Sequence, residues 1–248
     1  MALCEIHLSA QNALQRMTSF MAIVPEKMPG PFPVLYLLHG LSDDHTTWVR
    51  RTSIERYVAG MPLIVVMPDC ERGWYTNSVE LPTFAFETFV IDDLIGFVDS
   101  TFPTRVSRGG RAIAGLSMGG YGAFKLALKH PDLFCAAASL SGALRIGERF
   151  NVNEDRDREM RLIFGEQIPE SEDVPKLVET VDRDIMPALW IDCGTEDFLI
   201  DQNRAMHKHL ENLGIPHHYS ERPGEHGWAH WDAVIQEALG FIQAELGV

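Results

Sequence analysis

Apolar runs punctuate the chain at residues 34–38, 63–67, 134–140 and 188–191. Runs this short, without polar alternation, predict strands covered on both faces. Residues 3–9 and 16–24 read as two further strands joined by the turn-prone Ala10-Gln11-Asn12, so a hairpin opens the sheet. Between these strands the period changes to that of a helix. One helix is predicted around 53–59, and Phe86, Phe89, Val90, Leu94 and Phe97 form the buried stripe of another, closed by Pro103. A third spans 202–213 and stops at Gly214 and Pro216, after which 217–221 gives the last strand. Trp231, Val234, Ile235, Ala238 and Ile242 share one face of a closing helix. Strand and helix alternate along most of the length, which predicts an α/β fold with a mostly parallel central sheet and helices on both faces.

One segment breaks the alternation. Residues 145–187 are too long for an ordinary connection and read as a small helical insertion after the sixth strand. Its charged run, 151–159, is expected to be a solvated face. At 248 residues the whole chain, 1–248, is expected to form a single domain.

Charge narrows the partners. A formal charge of −14 sets the chain against nucleic acid and anionic membrane surfaces. The first residues lack the basic start and apolar core of a secretory signal, and no stretch is long and apolar enough to span a bilayer. Cys4, Cys70, Cys135 and Cys193 stand singly, with neither disulfide density nor metal spacing, and read as reduced thiols of a cytoplasmic protein. His207 and His209 sit two apart on a helix, face different directions, and are read as surface residues rather than a metal pair. Exposed apolar surface would support a homo-oligomer, which the sequence alone does not specify.

The chemistry gathers around residues 111–123, where a short apolar run ends in Gly115-Leu116-Ser117-Met118-Gly119 and a helix-forming segment follows. Strand, tight turn with a serine, then helix is a nucleophile elbow, and its strained backbone needs small neighbours at Gly115 and Gly119. A serine held this way needs a base and an acid from other strand ends. Asp192-Cys193-Gly194-Thr195-Glu196-Asp197 follows one strand, and Pro223-Gly224-Glu225-His226-Gly227 follows the last, giving the order serine, acid, histidine. Asp197 is the acid of choice, with Glu196 and Asp192 in reserve. Asp192 is placed within or at the end of its strand, whereas Asp197 lies further out in the loop. His226 is the base of choice over His230, His217 and His218, because its glycine neighbours free the backbone while His230 falls inside the closing helix. Two backbone N–H groups complete the set as an oxyanion hole. Met118 follows the nucleophile, and Leu41 lies in the loop His39-Gly40-Leu41 after an earlier strand. His39 is expected to hold that turn through hydrogen bonds. Trp48, Trp74, Tyr75 and Trp228 fall in loops on the same side, where pocket wall and structural packing both remain open to them.

These blocks, with Leu38-His39-Gly40-Leu41-Ser42-Asp43-Asp44-His45, Trp74-Tyr75-Thr76-Asn77 and His226-Gly227-Trp228-Ala229-His230-Trp231-Asp232, resemble the esterase D or tributyrin esterase branch of the α/β-hydrolases. The resemblance covers nearly the whole chain. It implies an α/β-hydrolase fold, a triad of Ser117, Asp197 and His226, and no metal or organic cofactor. The implied activity is a serine carboxylesterase acting on small, uncharged acyl esters, with S-formylglutathione or feruloyl and acetylated carbohydrate esters as alternatives on the same triad, and a non-catalytic binding protein of the same fold as the rival from another class. One departure bears on pocket polarity: relatives often carry glycine before the histidine and aspartate after it, where this chain has Glu225 and Gly227.

Overall fold

The computed structural model describes residues 1–149 and 154–248. Its centre is one eight-stranded sheet. Strands β1 (Ala2–Ala10) and β2 (Arg16–Val24) form the antiparallel hairpin at one edge. Then come β3 (Val34–Leu38), β4 (Ile64–Pro68), β5 (Arg111–Leu116), β6 (Ala136–Leu140), β7 (Ala188–Gly194) and β8 (His218–Arg222). The spatial order is β1-β2-β4-β3-β5-β6-β7-β8. From β4 to β8 every pairing is parallel, and β2 joins β4 antiparallel. This is the mostly parallel α/β sheet that the apolar runs predict.

All residues of β3, β4, β5 and β6 are buried, because helices cover both faces. Alternation along each strand then divides the core in two. Leu35 and Leu37 belong to the layer under α1 (Thr47–Arg51), α2 (Ile54–Tyr57) and the closing helix. Tyr36 and Leu38 pack into the opposite layer, with the phenylalanine stripe. That stripe is built differently from the continuous α-helix its spacing suggests. A short α3 (Phe86–Thr88) passes into a π-helical stretch at Phe89–Leu94 before α4 (Ile95–Thr101). Phe86, Phe89, Val90 and Leu94 are buried, and Phe97 is half-buried with its ring edge-on to Phe20 at 5.9 Å.

The elbow helix α5 (Met118–Lys129) lies deepest, with every residue from Met118 to Leu128 buried. Between β6 and β7 run α6 (Glu154–Phe164) and α7 (Val174–Thr180). Asn151, Val152 and Asn153 of the charged run lie outside the described residues. The rest of that run splits: Glu154, Asp155 and Arg158 are exposed, as expected of a solvated face, whereas Arg156, Asp157 and Glu159 are half-buried. Glu159 receives Arg72 Nε at 2.6 Å and Arg72 Nη2 at 2.8 Å, with Arg156 Nη1 at 3.1 Å, so α6 docks through charge on the loop after β4. The last helices are α8 (Ile200–Asn212) and α9 (Trp228–Leu246), and Trp231, Val234, Ile235, Ala238 and Ile242 of α9 are buried together. His207 and His209 on α8 correct the surface reading: both are half-buried. His207 stacks on Tyr219 at 4.1 Å and hydrogen-bonds His217 at 2.7 Å, while His209 is 3.2 Å from the Pro175 carbonyl.

Lys125, in the middle of α5, is fully buried and anchors the loops around it. Its Nζ donates to Glu87 Oε2 at 2.7 Å, Glu172 Oε2 at 3.0 Å and the Tyr75 carbonyl at 2.5 Å. Lys129 bridges the same two carboxylates at 2.8 and 2.6 Å, and His130 pairs with Glu87 at 3.0 Å. Burial alone would raise the Glu87 pKa, but its bonds to His130, Lys125 and Lys129 hold it far below the usual carboxylate range. Removing one partner from such a network leaves charge buried and uncompensated. Lys125→Met is therefore expected to cost about 3 kcal/mol of unfolding free energy at neutral pH. Urea denaturation measures this, and a loss no larger than that of an exposed ion pair would contradict it.

Candidate active site

Each candidate residue leaves a carboxyl end of the parallel strands. β5 ends at Leu116, α5 begins at Met118, and Ser117 between them has φ 54° and ψ −115°. This left-handed, sparsely populated conformation is held from both sides. Ser117 N–H donates to the Leu140 carbonyl at 2.9 Å, and its own carbonyl accepts from Tyr121 N at 3.1 Å and Ala143 N at 3.2 Å. The turn also brings α5 against the sheet: a Cβ on Gly115 would lie 2.4 Å from the Gly119 carbonyl oxygen. Only glycine tolerates that approach.

Asp197 follows β7 and is buried. Its Oδ1 accepts the Leu199 N–H at 2.8 Å, and its Oδ2 lies 2.8 Å from His226 Nδ1. His226 stands between β8 and α9, with Nε2 2.9 Å from Ser117 Oγ. An ionised carboxylate only accepts, so Nδ1 carries the proton and Nε2 is left to accept from the serine hydroxyl. Burial pushes the Asp197 carboxyl up, but the bond and charge of His226 and the Leu199 N–H outweigh it and hold its pKa below the usual value. Phe198 lies over the His226 ring at 4.4 Å, and Trp231 meets it edge-on at 4.9 Å.

The reserve residues are brought to other work. Asp192 is the β7 residue that receives His230 Nε2 at 2.8 Å, Ser220 Oγ at 2.6 Å and Arg222 Nε at 3.0 Å. Glu196 accepts from Gly224 N at 2.5 Å and so ties its loop to the one carrying His226. His217 is 2.8 Å from the Ile215 carbonyl, and His218 stacks on Trp190 at 5.5 Å.

After β3, His39 holds its turn with both ring nitrogens. Nε2 accepts the Cys70 N–H at 3.0 Å, which leaves Nδ1–H to donate to the Gly40 carbonyl at 2.7 Å. Burial lowers the His39 pKa and keeps this neutral form. Tyr75 O–H donates to the His39 carbonyl at 2.8 Å. Its ring fits against α5 because a Cβ at Gly122 would come within 2.3 Å of it. Met118 supplies the first N–H of α5, which no residue of its own helix can accept from. The α5 dipole points the same way.

Leu41, Ser117 and His226 open onto a cleft of about 340 Å³ that Trp74, Arg156 and Trp228 also line. Trp48 is buried behind it, edge-on to Trp228 at 5.3 Å, and Tyr75 is likewise buried, so these two pack rather than line. Sequence reasoning missed Arg156 and Phe198, since a cation in a charged run and one apolar loop residue carry no periodic signal. Among the described residues no cluster of His, Cys, Asp and Glu is disposed to hold a metal ion, and no helix is long and apolar enough to cross a membrane.

The family model described as putative esterase matches residues 11–242. The chain is 30% identical to an acetyl esterase of Caldicellulosiruptor saccharolyticus, covering 98% of each. Among solved structures it is similar to the fluorophosphonate-binding serine hydrolase FphF of Staphylococcus aureus, with a TM-score of 0.88 at 29% identity over 97% of this chain and 98% of that one. It is also similar to the S-formylglutathione hydrolase FrmB of the same organism, with a TM-score of 0.86 at 27% identity over 97% and 98%.

Two outcomes follow from the geometry. Tyr75→Phe leaves the His39 carbonyl without its buried donor and should cost about 1–3 kcal/mol of stability, read by urea unfolding. The depressed folded-state pKa of Asp197 means that its ionised form adds stability above the unfolded carboxylate value of about 3.9, and that this is lost as pH falls through the lower folded value. The stability advantage of wild type over Asp197→Asn should therefore be level above about pH 5 and narrow below about pH 4. An advantage unchanged down to acid would show that the carboxylate is not specifically stabilised.

Proposed function

The chain belongs to the putative esterase family, and on that premise we propose that it cleaves short-chain acyl esters through Ser117, His226 and Asp197. The observation that carries this reading is the continuous run from Ser117 Oγ to His226 Nε2 at 2.9 Å and from His226 Nδ1 to Asp197 Oδ2 at 2.8 Å. His226 takes the serine proton as Oγ attacks the ester carbonyl. Asp197 keeps the ring oriented and stabilises the imidazolium that forms. The developing oxyanion is received by the N–H groups of Leu41 and Met118, the second at the positive end of α5. The protonated His226 then gives its proton to the leaving alkoxide. A water enters, loses a proton to the same nitrogen, and releases the acyl group as a carboxylic acid, returning Ser117 to its starting state.

Within the family, the sequence blocks around His39, Trp74 and His226 favour the esterase D or tributyrin esterase branch. A thioester substrate is the second reading, favoured by the similarity to an S-formylglutathione hydrolase. The unpaired cysteines Cys70, Cys135 and Cys193 are buried and agree with a reducing, cytoplasmic setting.

Ser117→Ala should lower kcat for p-nitrophenyl butyrate by about 10⁴-fold or more and abolish labelling by a fluorophosphonate probe. Full activity in that variant would remove Ser117 from the role. Comparing kcat/KM for p-nitrophenyl butyrate and S-formylglutathione separates the ester from the thioester reading.

A further inference from the structure

Two consecutive residues after β4 hold a backbone conformation that residues with side chains rarely adopt: Trp74 has φ 52° and Tyr75 has φ 54°. Such a conformation persists only where the surroundings fix it. Here the Tyr75 carbonyl accepts Lys125 Nζ at 2.5 Å, the Trp74 carbonyl accepts Thr76 Oγ1 at 3.0 Å, and Thr76 N–H closes the turn on the Gly73 carbonyl at 3.1 Å. The Tyr75 ring then lies in the notch that Gly122 leaves in α5.

This arrangement delivers one group. Tyr75 is fully buried, and its O–H donates to the His39 carbonyl at 2.8 Å. Burial pushes the phenol pKa up, so the group remains a donor throughout the neutral range. The same carbonyl lies against the start of the elbow helix, where a Cβ on Gly119 would come within 2.7 Å of it.

From that carbonyl the chain reaches Leu41 through two planar peptide units, and each is held by hydrogen bonds. In the first, His39 C=O receives Tyr75 while Gly40 N–H donates to Asp43 Oδ2 at 3.3 Å. In the second, Gly40 C=O receives His39 Nδ1–H at 2.7 Å and Asp43 N–H at 3.2 Å. A trans peptide carries its N–H on the side opposite its carbonyl. The Leu41 N–H is therefore turned away from both of those donors, and it has no backbone acceptor among the described residues. Leu41 lines the cleft together with Ser117.

We propose that Tyr75 is a positioning residue of the reaction: anchored by Lys125 of α5, it fixes the His39 carbonyl and through it the aim of the Leu41 N–H at the oxyanion. Both donors of the oxyanion hole are then set by one helix, Met118 directly and Leu41 through Tyr75. This deepens the esterase reading and rests on it. A donor aimed at charge that develops only in the transition state acts on kcat and leaves substrate binding nearly unchanged.

The test is Tyr75→Phe, assayed with p-nitrophenyl butyrate. Rates are taken per site titrated to completion with a fluorophosphonate, so that unfolded protein does not register as slow protein. Removing an oxyanion donor outright costs about 10²–10³-fold in kcat, and loosening one should cost about tenfold or more, with KM within about twofold of wild type. A trifluoromethyl ketone, which adds Ser117 and places an alkoxide where the oxyanion forms, should bind the variant more weakly by about the factor lost in kcat/KM. The acid limb of the kcat profile, set by His226, should not move. Ile242→Val, a core truncation in α9 remote from the loop, should keep the wild-type kcat. Wild-type kcat in Tyr75→Phe, a loss carried by KM alone, a displaced acid limb, unchanged ketone binding, or an equal loss in Ile242→Val would each overturn the proposal. Turnover by wild type that Ser117→Ala abolishes leaves the esterase reading intact in all of those cases. Wild type that neither turns over ester nor takes the fluorophosphonate removes both.

Discussion

The site depends on one close approach, the start of α5 against the ends of β3 and β5. A Cβ on Gly119 would come within 2.6 Å of the Leu38 carbonyl oxygen, and one on Gly115 within 2.4 Å of the Gly119 carbonyl oxygen. With both side chains absent, backbone meets backbone and Ser117 is forced into its positive-φ turn. A residue held in such a region costs of order 1–3 kcal/mol, and it persists only where its surroundings fix it. Here the surroundings are a helix buried from Met118 to Leu128 and a carbonyl–amide bond to each neighbour of the turn. The same approach puts the free N–H groups and dipole of α5 beside the serine hydroxyl. Strain, exposure of the Ser117 hydroxyl and the nearby positive end of a helix thus come from a single packing contact.

What surrounds this contact is a set of histidines and acids sorted by how fully each is engaged. Asp192 is buried beneath three donors from β8 and α9, and no oxygen is left for a reacting group. His39 spends one nitrogen as acceptor and the other as donor within its own turn, which fixes the backbone of Gly40 and Leu41. Asp197 differs because its two oxygens are divided: one locks the loop through Leu199, and the other is committed to His226. His226 in turn has its second nitrogen directed at the serine. This chain of bonds ends on a partly exposed hydroxyl.

The strands were legible because parallel strands covered on both faces must be apolar throughout, and the elbow because its glycines are demanded by backbone contact. That Asp197 and His226 would be brought to Ser117 was legible from chain order and from their loops after β7 and β8. Lys125 was not. It sits in an apolar helix as a lone cation, and its partners Glu87 and Glu172 are 38 and 47 positions away, so no local pattern announces the network. The phenylalanine stripe gave the buried face but not the π-helical stretch, since one extra residue in a turn leaves the apolar set nearly unchanged. Arg156 was hidden by its company: Glu154, Asp155, Asp157 and Arg158 make the segment read as solvated, and only the turn of α6 separates the residue facing the cleft from those facing outward.

This division has a physical consequence for how the two sides of the cleft are held. Ser117 is positioned by buried backbone contacts, where a single methyl group added at Gly115 or Gly119 collides with the main chain. The wall that bears Arg156 is attached differently. α6 is joined to the rest by the buried side chains of Met160, Ile163 and Phe164, by the half-exposed Arg72–Glu159 pair, by Ser78 Oγ on the Leu162 carbonyl at 2.5 Å, and by Val79 N on the Ile163 carbonyl at 3.0 Å. Exposed ion pairs and rim hydrogen bonds are individually worth about 1 kcal/mol or less. The exposed side chains of that helix, Glu154, Asp155 and Arg158, can therefore change with little effect on the packing that holds Ser117. Its buried face, by contrast, reaches the elbow helix itself, because Phe164 packs edge-on against Tyr121 of α5.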